Sequence, residues 1–241
     1  MKINVSAGHN PAGKIACGAV SILNESAENR KVKNEVIRQL RLMGHTVYDC
    51  TVDDGKNAAD VLSKCVAKCN ANQVDIDIQI HFNAGANDTA GNGKNTGTEV
   101  FIYDDKSTVA KKYALDIVSA IERIGFKNRG IKTSQKLFYL RRTNAQAVLI
   151  ECCFVDDKDD AQIYDATSMA TAIVYGLTGK KLKEKTVTTN TEAEAKGAET
   201  KQGKADEIYR VQVGSYRNLK NAKLLKKELN VLGFKSYITK E

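Results

Sequence analysis

Four residues of this 241-residue chain carry side chains that could act together: His9, Glu25, His81 and Glu151. Each stands just after a strand-like run or at the start of a helical one, beside Gly, Asn or loop residues. Two imidazoles and a carboxylate form a common catalytic zinc set, with a fourth position left open for water or substrate. A further carboxylate beside such a set can shuttle a proton. The separations are long, so no local pattern joins the four. Taken singly, a loop histidine is ordinarily solvated, and Glu25 is an acidic residue that a helix dipole favours in a first turn. Glu151 fits such a reading less easily. It ends the apolar run Ala147-Val148-Leu149-Ile150 and precedes Cys152-Cys153-Phe154, where an unpartnered carboxylate would be costly to bury.

The elements that must deliver these groups follow from periodicity. Ile76, Ile78 and Ile80 alternate with polar residues, which predicts a strand with one buried face and His81 where the pattern stops. Residues at the carboxyl ends of strands are where open α/β sheets hold ligands. Lys2 to Ala7 reads as a first strand, followed by the loop Gly8-His9-Asn10-Pro11. Val32, Val36, Ile37, Leu40 and Met43 form one helical stripe starting near Ser26, and Gly44 closes it. A strand over 45–50 and a helix over 57–71 come next. Residues 85–97 are rich in Gly, Asn and Thr and read as a surface loop. A strand over 98–103, a helix over 109–124, short strands at Ile131 and Leu137 to Leu140, a buried strand ending at Glu151, and a helix over 161–177 complete the series. Alternating strands and helices imply an α/β fold with a mostly parallel sheet covered by helices on both faces.

Composition changes at residue 180. Lys, Glu, Thr and Ala dominate 180–205, which cannot bury a core and reads as a linker. Residues 206–241 then read as a small β-α-β unit, so the expected organisation is 1–179, 180–205 and 206–241. The net charge of +8 is uneven. Residues 1–180 hold 23 basic and 21 acidic side chains, and residues 181–241 hold 14 and 8. The basic excess suits a polyanion such as an anionic cell wall. Nucleic acid is not expected as a partner, because no reading motif or aromatic platform accompanies the charge. No apolar run approaches the ~20 residues of a membrane helix. Met1-Lys2 leads straight into Ile3 without the apolar stretch of a signal peptide, so synthesis in the cytoplasm is expected.

The ordered segments Gly8-His9, Asn24-Glu25, His81-Phe82-Asn83-Ala84 and Val148-Leu149-Ile150-Glu151 resemble the zinc-dependent N-acetylmuramoyl-L-alanine amidases of the Amidase_3 group, over roughly residues 1–178. The resemblance implies a single Zn2+ bound by His9, Glu25 and His81, with Glu151 as the catalytic glutamate. It further implies hydrolysis of the amide between N-acetylmuramic acid and L-alanine in bacterial peptidoglycan. Glu28 competes with Glu25 as ligand. An Asn commonly lies four residues after the ligand in this family, and Asn29 favours Glu25. The family's Gly-Phe after the catalytic glutamate is replaced here by Cys152-Cys153-Phe154, and its first loop is usually richer in Gly and Asp than Asn10-Pro11-Ala12-Gly13.

Tyr209 to Tyr216, Ala222 to Leu229 and Leu232-Gly233-Phe234 resemble the SPOR repeat, a peptidoglycan-binding module, of which residues 206–241 cover one half. A half unit implies self-association as one way to complete its sheet. The resemblance is to phage endolysins and spore-former autolysins, which implies action at the cell wall after release through holin pores or by lysis. Asn83 and Arg141 are candidate substrate contacts, against readings as a cap and, with Arg142, a solvated pair. His45 reads as structural. Cys65 and Cys69 read as core, and Cys17, Cys152 and Cys153 as neighbours of the pocket, with a cysteine nucleophile a minor alternative. Two other functions remain open at this level: a zinc peptidase acting on the stem peptide, and a non-catalytic wall-binding protein.

Overall fold

A computed structural model describes residues 1–181 and, near the C-terminal end, positions 223, 226 and 237–239. In chain order its elements are β1 (Lys2–Ala7), α1 (Glu25–Leu42), β2 (Thr46–Asp49), α2 (Ala58–Asn70), β3 (Ile76–Asn83), β4 (Thr98–Ile102), α3 (Thr108–Glu122), β5 (Asn128–Thr133), α4 (Phe138–Arg142), β6 (Ala147–Phe154), α5 (Lys158–Ile163) and α6 (Ala166–Thr178). The strands form one sheet in the order β2-β1-β3-β6-β4-β5. Neighbours are parallel except β4 and β6, which are antiparallel. The α/β architecture with a mostly parallel sheet is therefore as expected.

Helices cover both faces. Ile3, Val5, Ile78, Ile80, Val148 and Ile150 pack against the stripes of α1, α3 and α6. Each such fully buried aliphatic side chain stabilises the fold by about 1.5–3 kcal/mol. The other face packs Leu149 with Val61, Cys65 and Cys69 of α2 and Tyr139 and Leu140 of α4. The polar side of β3 is therefore also buried, with Asp77 1% and Gln79 3% exposed. Asn4 Nδ2 donates to Asp77 Oδ1 at 2.7 Å and Gln79 Nε2 to Cys65 Sγ at 3.5 Å, while Gln79 Oε1 has no partner, so that face is a buried polar layer instead of a solvated one.

The structure corrects three local expectations. Leu137 to Leu140 is part of a helical turn. Tyr139 and Leu140 are consecutive and both buried in the same cluster, which a strand's alternation forbids. The helix expected over 161–177 is two, because Asp157 caps α5 through Asp160 N and Asp165 caps α6 through Ser168 N. Strands β3 and β6 run past His81 and Glu151, which pair in register, to a shifted pair at Asn83 and Phe154.

The loop at 84–97 is polar, as expected, and four aspartates tie it down. Asp156 accepts from Gly85, Ala86 and Asn87 N, Asp159 from Asn92 and Gly93 N, Asp157 from Thr96 N, and Asp160 from Gly97 N. The chain divides into two compact units, Met1–Thr186 and Val187–Glu241. The expected linker from 182 onward and the β-α-β unit fall, but for the few positions named, outside the described residues.

Candidate active site

Three separate elements bring His9, Glu25 and His81 together, with ligand-type atoms all within 4.8 Å of one another. Gly8 follows β1 and stays beside β3 because its N–H donates to Ile80 O at 3.0 Å. A Cβ on Gly8 would lie 2.0 Å from His81 Cε1, so only glycine leaves room for that ring. His9 then adopts φ of 61°, a left-handed conformation uncommon outside glycine and typical of functional sites. Arg30 holds it there, donating from Nη2 to His9 O at 2.8 Å while pairing with Asp53.

Glu25 is the first residue of α1, placed by the Asn24 cap that accepts from Ala27 N at 3.1 Å. Its Oε1 lies 2.9 Å from His81 Nδ1 and 3.3 Å from His9 Nε2, and Phe82 N donates to it at 3.2 Å. Its Oε2 accepts from Ala19 N at 3.0 Å. A Cβ on Gly18 would sit 2.3 Å from that oxygen, so a side chain there would displace the carboxylate. Burial alone would raise the Glu25 carboxyl, but hydrogen bonds and charge from His81 and His9 outweigh it and hold the group well below the usual carboxylate range. Glu28, the rival, is engaged elsewhere: Lys31 Nζ and Tyr164 OH donate to it at 2.7 and 3.1 Å. Asn29 Nδ2 donates to Gly8 O at 3.0 Å, tying α1 to the loop that carries His9.

Glu151 faces His81 across the β3–β6 pair. Burial pushes its carboxyl up to about 8, with the like charges of Glu25 and Glu99 adding. Its Oε2 and the Nε2 of His81 are buried without protein partners. Orphaned polar atoms of this kind call for a ligand. Two imidazoles, a carboxylate kept ionised and an unpaired nitrogen fit a borderline-soft divalent metal with an open position.

Sequence reasoning missed Glu99 and Arg129. Glu99 pairs with Glu151 across β4 and β6, and Asn83 Nδ2 and Arg129 Nε each donate to it at 2.9 Å. Its signal was a carboxylate within the otherwise apolar strand Val100-Phe101-Ile102. Arg141 is on α4, exposed, with its guanidinium 5.8 Å from the Phe138 ring centroid, and no hydrogen bond or ion pair joins it to the other five candidates. Cys152 and Cys153 are fully enclosed, and burial drives both thiols well above their ordinary range, which removes them as nucleophiles. Cys65 and Cys69 are core residues.

Residues 3–179 match the family model described as N-acetylmuramoyl-L-alanine amidase. The chain belongs to the Amidase_3 family. This amidase family is generally zinc-dependent, and His9, Glu25 and His81 form a cluster that could hold a metal ion. A second model, the SPOR domain, matches residues 189–241, starting inside the stretch read as a linker. An uncharacterised protein of Clostridium perfringens is 37% identical over 68% of this chain and 47% of its own length. The endolysin of Bacillus phage SPP1 is 27% identical over 71% of this chain and 61% of its own. The chain thus spans about half the length of the first of these relatives. The solved catalytic domain of an endolysin targeting Clostridia difficile is 29% identical, with a TM-score of 0.66, over 75% of this chain and 98% of that one.

Proposed function

We propose that this amidase-family chain hydrolyses the amide between the lactyl group of N-acetylmuramic acid and L-alanine in bacterial peptidoglycan. The observation that carries the reading is Glu151, a half-buried carboxyl with one buried, unpartnered oxygen, facing His81 of a His-Glu-His cluster across one strand pair. His9, Glu25 and His81 are the residues that would hold one zinc ion. When bound, zinc supplies Lewis-acid chemistry, acidifying a water and polarising the scissile carbonyl.

Glu151 does the proton work. Its carboxyl is raised to about 8 by burial and by the charges of Glu25 and Glu99. A cation engaged by Glu25 would lift part of that repulsion and lower the group from there, toward the range where a proton shuttle is most effective. It takes the proton of the attacking water and returns it to the leaving nitrogen. Glu25, held ionised by His81 and His9, keeps its charge for the metal. Asn83, bonded to Glu99, is a substrate contact or positions that carboxylate, and Arg141 remains a candidate contact farther along the peptide.

We assign residues 1–179 to catalysis, and the C-terminal unit, with its SPOR match, to wall binding. Among the described residues no helix is long and apolar enough to cross a membrane. The work is placed at the cell wall after release by holin pores or lysis. Self-association through the C-terminal unit would show as a mass that rises with concentration.

Glu151→Gln tests the reading. The variant should retain zinc and lose on the order of 100- to 10,000-fold in turnover. On purified wall the active protein should free L-alanine amino termini and leave the glycan intact. New termini elsewhere in the stem would mean a peptidase, and clearance unaffected by Glu151→Gln would remove that residue from the mechanism. Wall binding that survives chelation while all cleavage is lost separates catalysis from anchoring.

A further inference from the structure

A row of charged side chains crosses four neighbouring strands, and the proposed chemistry uses only half of it. His81 of β3 faces Glu151 of β6, and Glu151 faces Glu99 of β4. Glu99 is 6% exposed and is held at both oxygens, with Asn83 Nδ2 on Oε1 and Arg129 Nε of β5 on Oε2, each at 2.9 Å. Arg129 also lies over Phe154, its guanidinium carbon 5.0 Å from the ring centroid. Its side chain is 32% exposed. Nη1 and Nη2 donate to nothing among the described residues. A guanidinium fixed at Nε and against a ring, with both terminal nitrogens open, is pre-organised for a planar anion, and a carboxylate matches its fork.

We infer that Arg129 forms a subsite for a carboxylate on the peptide arm of the substrate, at the residue following L-alanine. The inference rests on the amidase reading, which sets the direction of the substrate. Glu151 delivers the proton to the leaving nitrogen, so that nitrogen lies on the Glu151 side of the cluster. Beyond Glu151 the row continues to Glu99 and Arg129, and the peptide borne by the nitrogen runs the same way. Two strand spacings separate β6 from β5, ~10 Å. An extended residue covers about 3.3–3.6 Å, and the long arginine side chain spans the remainder. The Glu99 charge is taken up by Arg129 and Asn83, so it orients the arginine without repelling the incoming carboxylate.

A merely structural arginine, present only to neutralise buried Glu99, behaves differently. Two synthetic muramoyl peptides, identical except that the carboxyl of the residue after L-alanine is free in one and a carboxamide in the other, distinguish the roles. Dissociation constants are measured by titration calorimetry on zinc-loaded Glu151→Gln protein, and KM on the unsubstituted protein. The free acid should be favoured about tenfold, the scale of one charge-assisted contact. The ratio should fall to about one in Arg129→Gln and to an intermediate value in Arg129→Lys, which keeps a cation beside Glu99. No preference in the parent protein, or variants that weaken both peptides in parallel with the ratio preserved, overturns the inference. If the unsubstituted protein cleaves neither peptide while the binding preference persists, the amidase reading fails and the Arg129 subsite stands.

Discussion

Replacing Gly8 with alanine should destroy the site and spare the fold. A Cβ at Gly8 would lie 2.0 Å from Cε1, 2.3 Å from Nε2 and 2.6 Å from Nδ1 of His81. Non-bonded carbons settle at about 3.5–4.0 Å, so methyl and ring must part by roughly 1.5–2 Å. The Gly8 backbone is held on both sides: its N–H donates to Ile80 O at 3.0 Å, and its carbonyl accepts from Asn29 Nδ2 at 3.0 Å and Arg30 Nη1 at 3.3 Å. The imidazole is the end of a side chain and moves instead, losing its 2.9 Å contact with Glu25. A displacement of ~1 Å in such a constellation costs on the order of 100-fold in rate. We therefore expect Gly8→Ala to lose at least about 100-fold in wall hydrolysis and to elute from gel filtration depleted of zinc, with an almost unchanged urea midpoint. Full zinc content with full activity would refute the placement of His81 against Gly8. A collapsed urea midpoint would refute the claim that the ring yields before the backbone.

Three further outcomes follow from the same geometry. Burial pushes the Asp77 carboxyl up to about 6, opposed in part by the Asn4 hydrogen bond. Between pH 4 and 6 the unfolded chain has then released a proton that the folded chain retains, so stability falls as pH rises through this window, by up to about 3 kcal/mol. Asp77→Asn should remove that fall, matching the parent near pH 4 and exceeding it at pH 7.5 in urea unfolding; an unaltered pH slope would exclude Asp77 as its source. Asp157 is fully buried and accepts from Asp160 N, Thr96 N and Thr96 Oγ1. Asp157→Ala should cost on the order of 3 kcal/mol and open the loop at 84–97 to limited proteolysis, whereas an intact loop would show that the other aspartates suffice. Finally, Glu25→Ala should abolish zinc binding and Glu28→Ala should retain it, read by metal content after dialysis; the reverse pattern would transfer the ligand role to Glu28.

Where an element's identity depends on its own residues, it was legible in the sequence. The Val32–Leu40 stripe and the alternation around Ile78 follow from side-chain period, which the backbone imposes locally. The misreadings lie where a neighbour decides. Leu137 to Leu140 has strand-like composition, yet the cluster formed with α2 draws Tyr139 and Leu140 to one side, which a helical turn satisfies. The break before α6 comes from Asp165, whose side chain accepts from Ser168 N and so outcompetes continuation of the helix. The burial of Asp77 and Gln79 was invisible because alternation distinguishes two faces but does not say what covers the second.

For the site, residue type and order were enough to nominate His9, Glu25, His81 and Glu151, because few side chains bind a metal or carry a proton and each was set beside Gly, Asn or a strand end. Tertiary structure alone decided that the first three converge within 4.8 Å, since loop closure across such separations leaves no local trace. It also decided that β4 runs antiparallel to β6, and this register brings Glu99 and Arg129 into line with Glu151. Strand direction and partner are properties of the assembled sheet, set by packing between distant segments, so the second half of the charged row exists only once the chain has folded.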